Sequence, residues 1–467
     1  MKRNSEFIYL TIAGEIRQSI LDGTIEPGKF LMSEAELCDY YHTSRFSVRK
    51  ALELLQNEGL IAKKAGQGSI VNPLLSPNEG HERVLRIVSS SPLHYLDYAM
   101  PVILEECRKR YPHMSVKLLR LSIQDFWQSV ATSDEMGFKS DLFLLSDNQY
   151  RFARNQTGMF ADLRPLLPPS YLTMYPKLLH AYEESGETLA VPVNVASVFM
   201  LVNPRLFDKY NVKLPNESWT TEDFIRAAQK LTVDTNSDGI LDQYGFFLPS
   251  SISRWPVIAL QQQVNFHRMD SSEPFLRTLD FIHDSLYRYR IAKLYKPTDY
   301  VISSHPFVNE KAAMLLTTTP EMIGLRRHGL PFEPLMADLP FGDIQSTLLS
   351  SNVFMAHSQS SNFDMVSLFL QTVLDPAVQE RIARQAGFHS VYRSVNNRVW
   401  EERYLGKLLL SDDRIADNQY IHEMVPDREI LNVLDTQMES FWAGLEKADH
   451  FADKIVNMYK RQHATVE

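Results

Sequence analysis

Two arginines four residues apart, Arg45 and Arg49, follow Ser44 in the stretch SRFSVRKALELL, with Lys50 beside them. Guanidinium groups on one turn at the start of a helix suit duplex DNA, because they donate bidentately to base edges and pair with phosphates. Lys63 and Lys64 add ammonium groups for backbone contacts, just ahead of a turn at Ala65-Gly66-Gln67-Gly68. A second constellation is acidic. Asp234, Asn236, Asp238 and Gly239 in DTNSDGILDQYG follow the opening of a calcium-binding loop, and Asp242 takes its ninth position. The twelfth position is Gly245, where such loops place a bidentate Glu, so a solvated acidic turn is the rival reading of the same residues.

The basic residues need a scaffold, and the flanking pattern predicts one. Ile8, Ile12, Ile16 and Ile20 recur every four residues, marking one face of a first helix that ends at Asp22-Gly23. Pro27-Gly28 makes a turn, and Ser33 with Glu36 three positions later forms a capping box for a short second helix. Ser44 caps a third helix whose Val48, Ala51, Leu52 and Leu55 form an apolar stripe, stopped at Asn57-Glu58-Gly59. LIAKKAGQGSIV then reads as two short strands. Three helices followed by a hairpin is the order of a winged helix-turn-helix. Charges alone would fit a solvated helix face equally well; the ordered caps, stripe, arginine pair and glycine turn favour the DNA-reading unit.

Residues Pro27–Val71 resemble the GntR family of bacterial transcription regulators, whose pattern runs P-G-x-x-L-P-S-E, S-R-x-T-V-R-x-A-L, E-G-L-I and G-x-G-T-F-V. Met32 replaces the proline, Ser47 the threonine, and Ser69-Ile70 the Thr-Phe pair. The resemblance implies DNA contact through Ser33, Glu34, Arg45, Ser47, Arg49 and the wing of Gly66, Gln67 and Gly68, by a dimer on a palindromic operator. Net charge does not itself point to DNA. Residues 1–75 carry nine basic and nine acidic residues, so the formal charge of -9 arises in the remainder.

The remaining sequence is long enough for at least one further domain. NPLLSPNEGHER reads as a linker, which divides the chain into a head at 1–72, a linker at 73–83 and a large domain at 84–467. VLRIVSS is a strand buried on both faces, AMPVILEECRKRYPHMSVKLLRL a helix, turn and strand, and SDLFLLS another strand. This alternation predicts an α/β sheet. KSDLFLLS with GMFADLRPLL, ETLAVPVNVASVFMLVNPRLF, the later SWTTEDFIRAAQKLT and NEKAAML together resemble the maltose-binding-like extracellular solute-binding proteins. The fold class expected is therefore multi-domain α/β, a winged helix-turn-helix joined to a two-lobed binding-protein domain.

That resemblance implies a sugar site built from aromatic faces and Asn, Asp, Glu or Arg groups. The candidates are Trp127, Tyr150, Asn194, Arg254, Trp255, Phe266 and Tyr392, each aromatic having core packing as its alternative. Trp219 is assigned to packing. The acidic turn is frequent in the family with or without metal. No cofactor is required; calcium at Asp234, Asn236, Asp238 and Asp242 is the one expected option. The amphipathic tail ILNVLDTQMESFWAGLEKADHFADKIVNMYKRQ either forms an interface or caps a lobe.

A DNA-reading head on such a domain is expected to be a ligand-responsive regulator of transcription, not an enzyme, with a sugar or another small solute such as a peptide as effector. The enzyme alternative, a GntR head on a pyridoxal-phosphate aminotransferase-like domain, needs a Schiff-base lysine in an S-x-x-K-like context, and Lys293, Lys296 and Lys311 lack it. Two cysteines, Cys38 and Cys107, suit a reducing compartment. Charged residues interrupt the N-terminal apolar stretch, so a cytoplasmic location without a membrane partner is expected.

Overall fold

A computed structural model describes the chain apart from residues 1–3, 22–23, 65–67, 74–82, 136–138, 155, 157, 185, 296–304 and 464–467. The residues form two compact units. The first comprises Met1–Met174, Tyr182–Val193 and Val353–Ile382; the second comprises Tyr175–Ala181, Asn194–Asn352 and Ala383–Glu467.

The first unit begins with α1 (Asn4–Leu21), α2 (Glu34–Tyr40) and α3 (Arg45–Asn57), then β1 (Ile61–Lys64) and β2 (Gly68–Val71), which pair antiparallel. Both predicted caps are present. Ser33 and Glu36 make a reciprocal capping box on α2, and Ser44 Oγ accepts from the Ser47 backbone N–H on α3. Ile12, Ile16 and Ile20 pack with Leu37, Val48, Ala51, Leu52, Leu55, Ile61 and Val71 into one small core, whereas Ile8, the first residue of the expected stripe, is exposed. Gly59, at φ +72, ends α3 in a backbone conformation that glycine adopts without Cβ strain. The linker expected at 73–83 lies almost wholly outside the described residues.

The same unit continues into a five-stranded sheet. Strands β3 (Arg83–Ser91), β4 (Met114–Ser122) and β5 (Leu142–Leu145) run parallel in the order β4-β3-β5, and strands Val353–Ala356 and Val191–Pro192 complete it. β5 is buried along its whole length, which explains its uninterrupted apolar sequence. The head is joined to this sheet region by a buried ion pair. Arg17 of α1, only 2% exposed, forks its Nε and Nη2 onto the Glu58 carboxylate, with Nε 2.8 Å from Oε2, while Nη1 pairs with Asp364. Asp364 lies in the first turn of the helix Phe363–Val373, where a carboxylate also meets the positive end of the helix dipole. Gly14, one turn before Arg17, brings the two helices close: a Cβ there would stand 3.5 Å from Asp364 Cβ.

In the second unit the strands follow the order Ala292–Tyr295, Tyr244–Pro249, Ala312–Thr318, Ala196–Val202, Leu348–Ser350 and Gln419–Tyr420, with Leu335–Ala337 paired off this path. The first three are mutually parallel. Two glycines are dictated by close backbone approach, since a Cβ at Gly245 would lie 2.3 Å from Ala228 O and one at Gly342 2.1 Å from Gln261 O. The tail belongs to this unit's core: Ile430, Leu434, Phe441, Trp442, Phe451 and Ile455 pack with Trp255, Phe266 and Phe275.

His389 is buried in the second unit against the stacked rings of Trp400 and Tyr404, and neither ring nitrogen has a partner among the described residues. Burial pushes its pKa down to about 3 from 6.5. Because the folded value is depressed, the unfolded chain takes up the proton first. Stability is complete above 6.5 and is lost as the pH falls from there toward 3. Replacing His389 by Phe should flatten thermal-melting profiles across that window. An unchanged acid dependence would assign it to other groups.

Candidate functional site

On the head, the first turn of α3 presents Arg45, Phe46 and Arg49 to solvent, with Val48, Ala51 and Leu55 turned inward on the opposite side. Arg45 is exposed and has no hydrogen-bond partner among the described residues. Arg49 is held: its Nε donates to Glu34 Oε2 at 2.8 Å, and Lys63 Nζ lies 3.9 Å from the other oxygen of the same carboxylate. Glu34 thus aligns two cations from α3 and β1 along one edge of the head. Glu34, a candidate DNA contact, is in this structure the partner that orients the Arg49 donor.

Three other candidate contacts have partners within the head. Ser47 is buried with its hydroxyl 3.2 Å from Ser44 Oγ, so it supports the helix start from within. Ser33 caps α2, its own backbone N–H donating to Glu36. Lys50 sets its ammonium 4.2 Å from the centre of the Tyr9 ring, linking α3 to α1 by a cation–π contact. Of the wing, Gly68 is described at φ +103, a left-handed conformation suited to a tight hairpin, while Gly66 and Gln67 lie outside the described residues.

The sugar-site candidates separate by environment. Trp255 is 0% exposed and packs edge-on against Trp442, and Phe266 packs against Phe275; both are core residues of the second unit. Asn194 is buried, with its amide oxygen accepting from the Asn352 backbone N–H at 2.8 Å. Tyr392 is buried at the start of the helix Arg393–Val399. In the first unit Tyr150 is buried edge-on to Tyr182 at 4.9 Å, and Trp127 is half-buried among Phe126, Phe143 and Phe160. Trp219 packs on Phe224, as expected.

Arg254 is the candidate with a polar setting, and its partners were missed in the sequence. Its Nη2 donates to Thr318 Oγ1 at 3.1 Å and lies 3.7 Å from Glu321 Oε2. Thr317 donates to that same Glu321 oxygen at 3.0 Å, and His305 Nε2 lies 3.6 Å from the other. Tyr295 meets the His305 ring edge-on at 5.1 Å. Tyr295 and Thr318 end two of the three parallel strands, and Arg254 follows the third, so the cluster occupies the carboxyl end of this sheet, where open α/β sheets bind ligands. Burial opposes ionisation of Glu321, yet the neighbouring His305 imidazole and the Arg254 charge outweigh it and hold its carboxyl below the ordinary range. The result is an anchored, ionised acceptor beside a guanidinium. The local signal was present as threonines at a strand end followed directly by a helix, TTTPE, but strand ends are common and the partners lie far apart in sequence.

The acidic turn is self-satisfied. Asp234 accepts from the backbone N–H groups of Asn236, Asp238 and Gly239, and Asp242 pairs with Lys311 at 2.8 Å and with Thr235. No group of three or more His, Cys, Asp or Glu among the described residues is arranged to hold a metal ion. No described helix is long and apolar enough to cross a membrane.

Comparison with known proteins agrees with both parts of this architecture. Residues 8–71 match the profile described as bacterial regulatory proteins, gntR family, and residues 94–263 match that of bacterial extracellular solute-binding proteins. The HTH-type transcriptional regulator TreR of Bacillus subtilis is 44% identical over 63 residues, which are 14% of this chain and 26% of TreR, so the likeness spans about a quarter of that relative. An ABC substrate-binding protein of Listeria monocytogenes in complex with cycloalternan superposes with a TM-score of 0.66 at 16% identity, covering 82% of this chain and 99% of that one. The maltose/maltodextrin-binding domain MalE of Bdellovibrio bacteriovorus bound to maltotriose gives 0.66 at 17% identity, over 82% of this chain and 100% of that one. At such identities these likenesses establish the fold. The chain therefore carries a gntR-family helix-turn-helix domain at its N-terminus, followed by a domain of the bacterial extracellular solute-binding protein fold.

Proposed function

We propose that the chain is a sugar-responsive regulator of transcription, in which the head binds a specific duplex sequence and a mono- or oligosaccharide in the solute-binding domain alters that binding. One observation carries the reading: Arg45 and Arg49 stand exposed at the start of α3, in a head that shares its chain with a fold whose solved relatives hold cycloalternan and maltotriose. Arg254, Thr318 and Glu321 supply donors and acceptors for sugar hydroxyls. The effector acts by binding one conformation of the protein more tightly than another, since a ligand with equal affinity for both would shift nothing. Operator symmetry then calls for two copies of the chain, acting in the cytoplasm where the DNA is.

The test is a thermal-melting screen of the full chain against mono- and oligosaccharides, with peptides and pyridoxal phosphate as counter-probes. A saturable shift with one sugar is expected. Arg254→Met and Glu321→Gln should each weaken it at least tenfold, the equivalent of about 1.4 kcal/mol of binding. The unliganded proteins should retain their secondary structure. A shift with peptides alone would replace the ligand class, and a shift with pyridoxal phosphate would overturn the sugar-sensor reading.

A further inference from the structure

Among the groups on the DNA-facing end of the head, Phe46 is unexplained by packing. It is 64% exposed, although the residues that follow it on α3, Ser47 and Val48, are buried. At about 100° of rotation per residue, it lies roughly opposite the buried stripe of Val48, Ala51 and Leu55, with Arg45 and Arg49 on one flank. A single exposed apolar ring is ordinary on a protein surface, so the setting of this one matters more than its exposure: it stands beside two exposed guanidiniums at the start of α3. Those guanidiniums indicate what partner covers it. A surface bearing two cations beside an apolar ring is complementary to a major-groove edge, which offers acceptors and phosphates together with one apolar group, the C5-methyl of thymine.

We infer that Phe46 is a specificity-determining residue that covers a thymine methyl in the major groove. The inference rests on the DNA-binding reading above and extends it from a class of ligand to a base. Arg45 and Arg49 pair with acceptors on base edges and with phosphates. Phe46 adds an apolar surface that a cytosine or a demethylated base does not match, so it biases recognition toward a thymine near the start of α3.

The experiment uses the full chain. Duplexes are selected from a random-sequence pool by the unmodified protein, and each thymine of the enriched sequence is then replaced singly by deoxyuridine, which removes only the methyl group. At one thymine in each half-site the replacement should weaken binding about fourfold, the worth of one buried methyl. At that thymine Phe46→Ala should show no further loss, whereas Phe46→Leu should retain part of the methyl dependence. Equal uracil penalties in the unmodified protein and Phe46→Ala at every thymine, or no penalty anywhere, would overturn the inference while leaving DNA binding intact. A Phe46→Ala protein with altered sedimentation but unchanged base preference would overturn it too, by assigning the ring to self-association. A pool that yields no enriched sequence would remove the DNA-binding reading along with it.

Discussion

Replacing Arg17 by Leu should destabilise the first unit by about 3 kcal/mol, the lower end of the range for breaking a buried ion pair. The substitution removes the Arg17 guanidinium from beside Asp364, whose side chain is only 5% exposed. Glu58 is less affected, because its side chain is 30% exposed and can recover water. Removing the other partner is expected to cost less. In Asp364→Leu, Arg17 keeps its two-pronged pairing with Glu58, and a guanidinium so held remains satisfied. The double substitution Arg17→Leu with Asp364→Leu should recover much of the loss, since an apolar pair in place of a buried ion pair is often neutral or better. Denaturant unfolding of the four proteins gives the cycle, read on the transition of the first unit because a chain of two units need not unfold in one step. Losses that simply add would show that Arg17 and Asp364 do not act on each other. Arg17 ties the C-terminal end of α3, through Glu58, to a helix of the solute-binding fold, so under the proposed function Asp364→Leu should retain operator binding while reducing its response to effector.

The same ion pair marks where sequence reasoning ends. Arg17 and Asp364 are 347 residues apart, and nothing around either marks it as half of a pair. What could be read was local and periodic: the Ser33–Glu36 box, the Ser44 cap, the stripe on α3, the apolar β5 and the strand–helix–strand run that follows the linker. These depend on neighbours within a few residues, and hydrogen-bond geometry and side-chain period dictate them directly. The aromatic sugar-site candidates met the opposite difficulty. Trp255 packs its ring edge-on against Trp442 of the tail, a neighbour that only the folded chain provides, and an aromatic selected for a ligand has the same residue type as one selected for a core. Arg254 survived as a candidate because a guanidinium is seldom buried without a partner, and its partners Thr318 and Glu321 became visible only when the parallel strands aligned their ends. Ser47 and Lys50 illustrate a subtler limit. The motif located the recognition helix, but the rotation of α3 on α1 decides which of its polar residues face outward, and it turned Ser47 in and drew Lys50 onto Tyr9.

The arginine pair that remains outward should dominate DNA binding. Arg45→Ala together with Arg49→Ala is expected to lower affinity for a selected operator by a hundredfold or more, on the order of 1–3 kcal/mol for each bidentate pairing with a base that the substitutions abolish. Both side chains are exposed, so the thermal stability of the head should move by no more than about 0.5 kcal/mol, which separates a binding defect from a folding one. The single variants should differ. Arg45 has no partner among the described residues, and its removal should relax discrimination between operator and unrelated duplex. Arg49 shares its charge with Glu34, so it reaches DNA already oriented but partly neutralised. Glu34→Gln should therefore raise affinity for unrelated duplexes and steepen the salt dependence, because it releases the charge of Arg49 and of Lys63 for counterion displacement. It should also narrow the gap between operator and non-operator DNA, since an arginine freed from its carboxylate is no longer aimed at one position. Titrations of these variants and the unmodified protein against both duplexes at several salt concentrations distinguish the effects. If Glu34→Gln weakened binding to every sequence alike, its carboxylate would be a direct contact, as the motif alone suggested, and the alignment of Arg49 would be incidental.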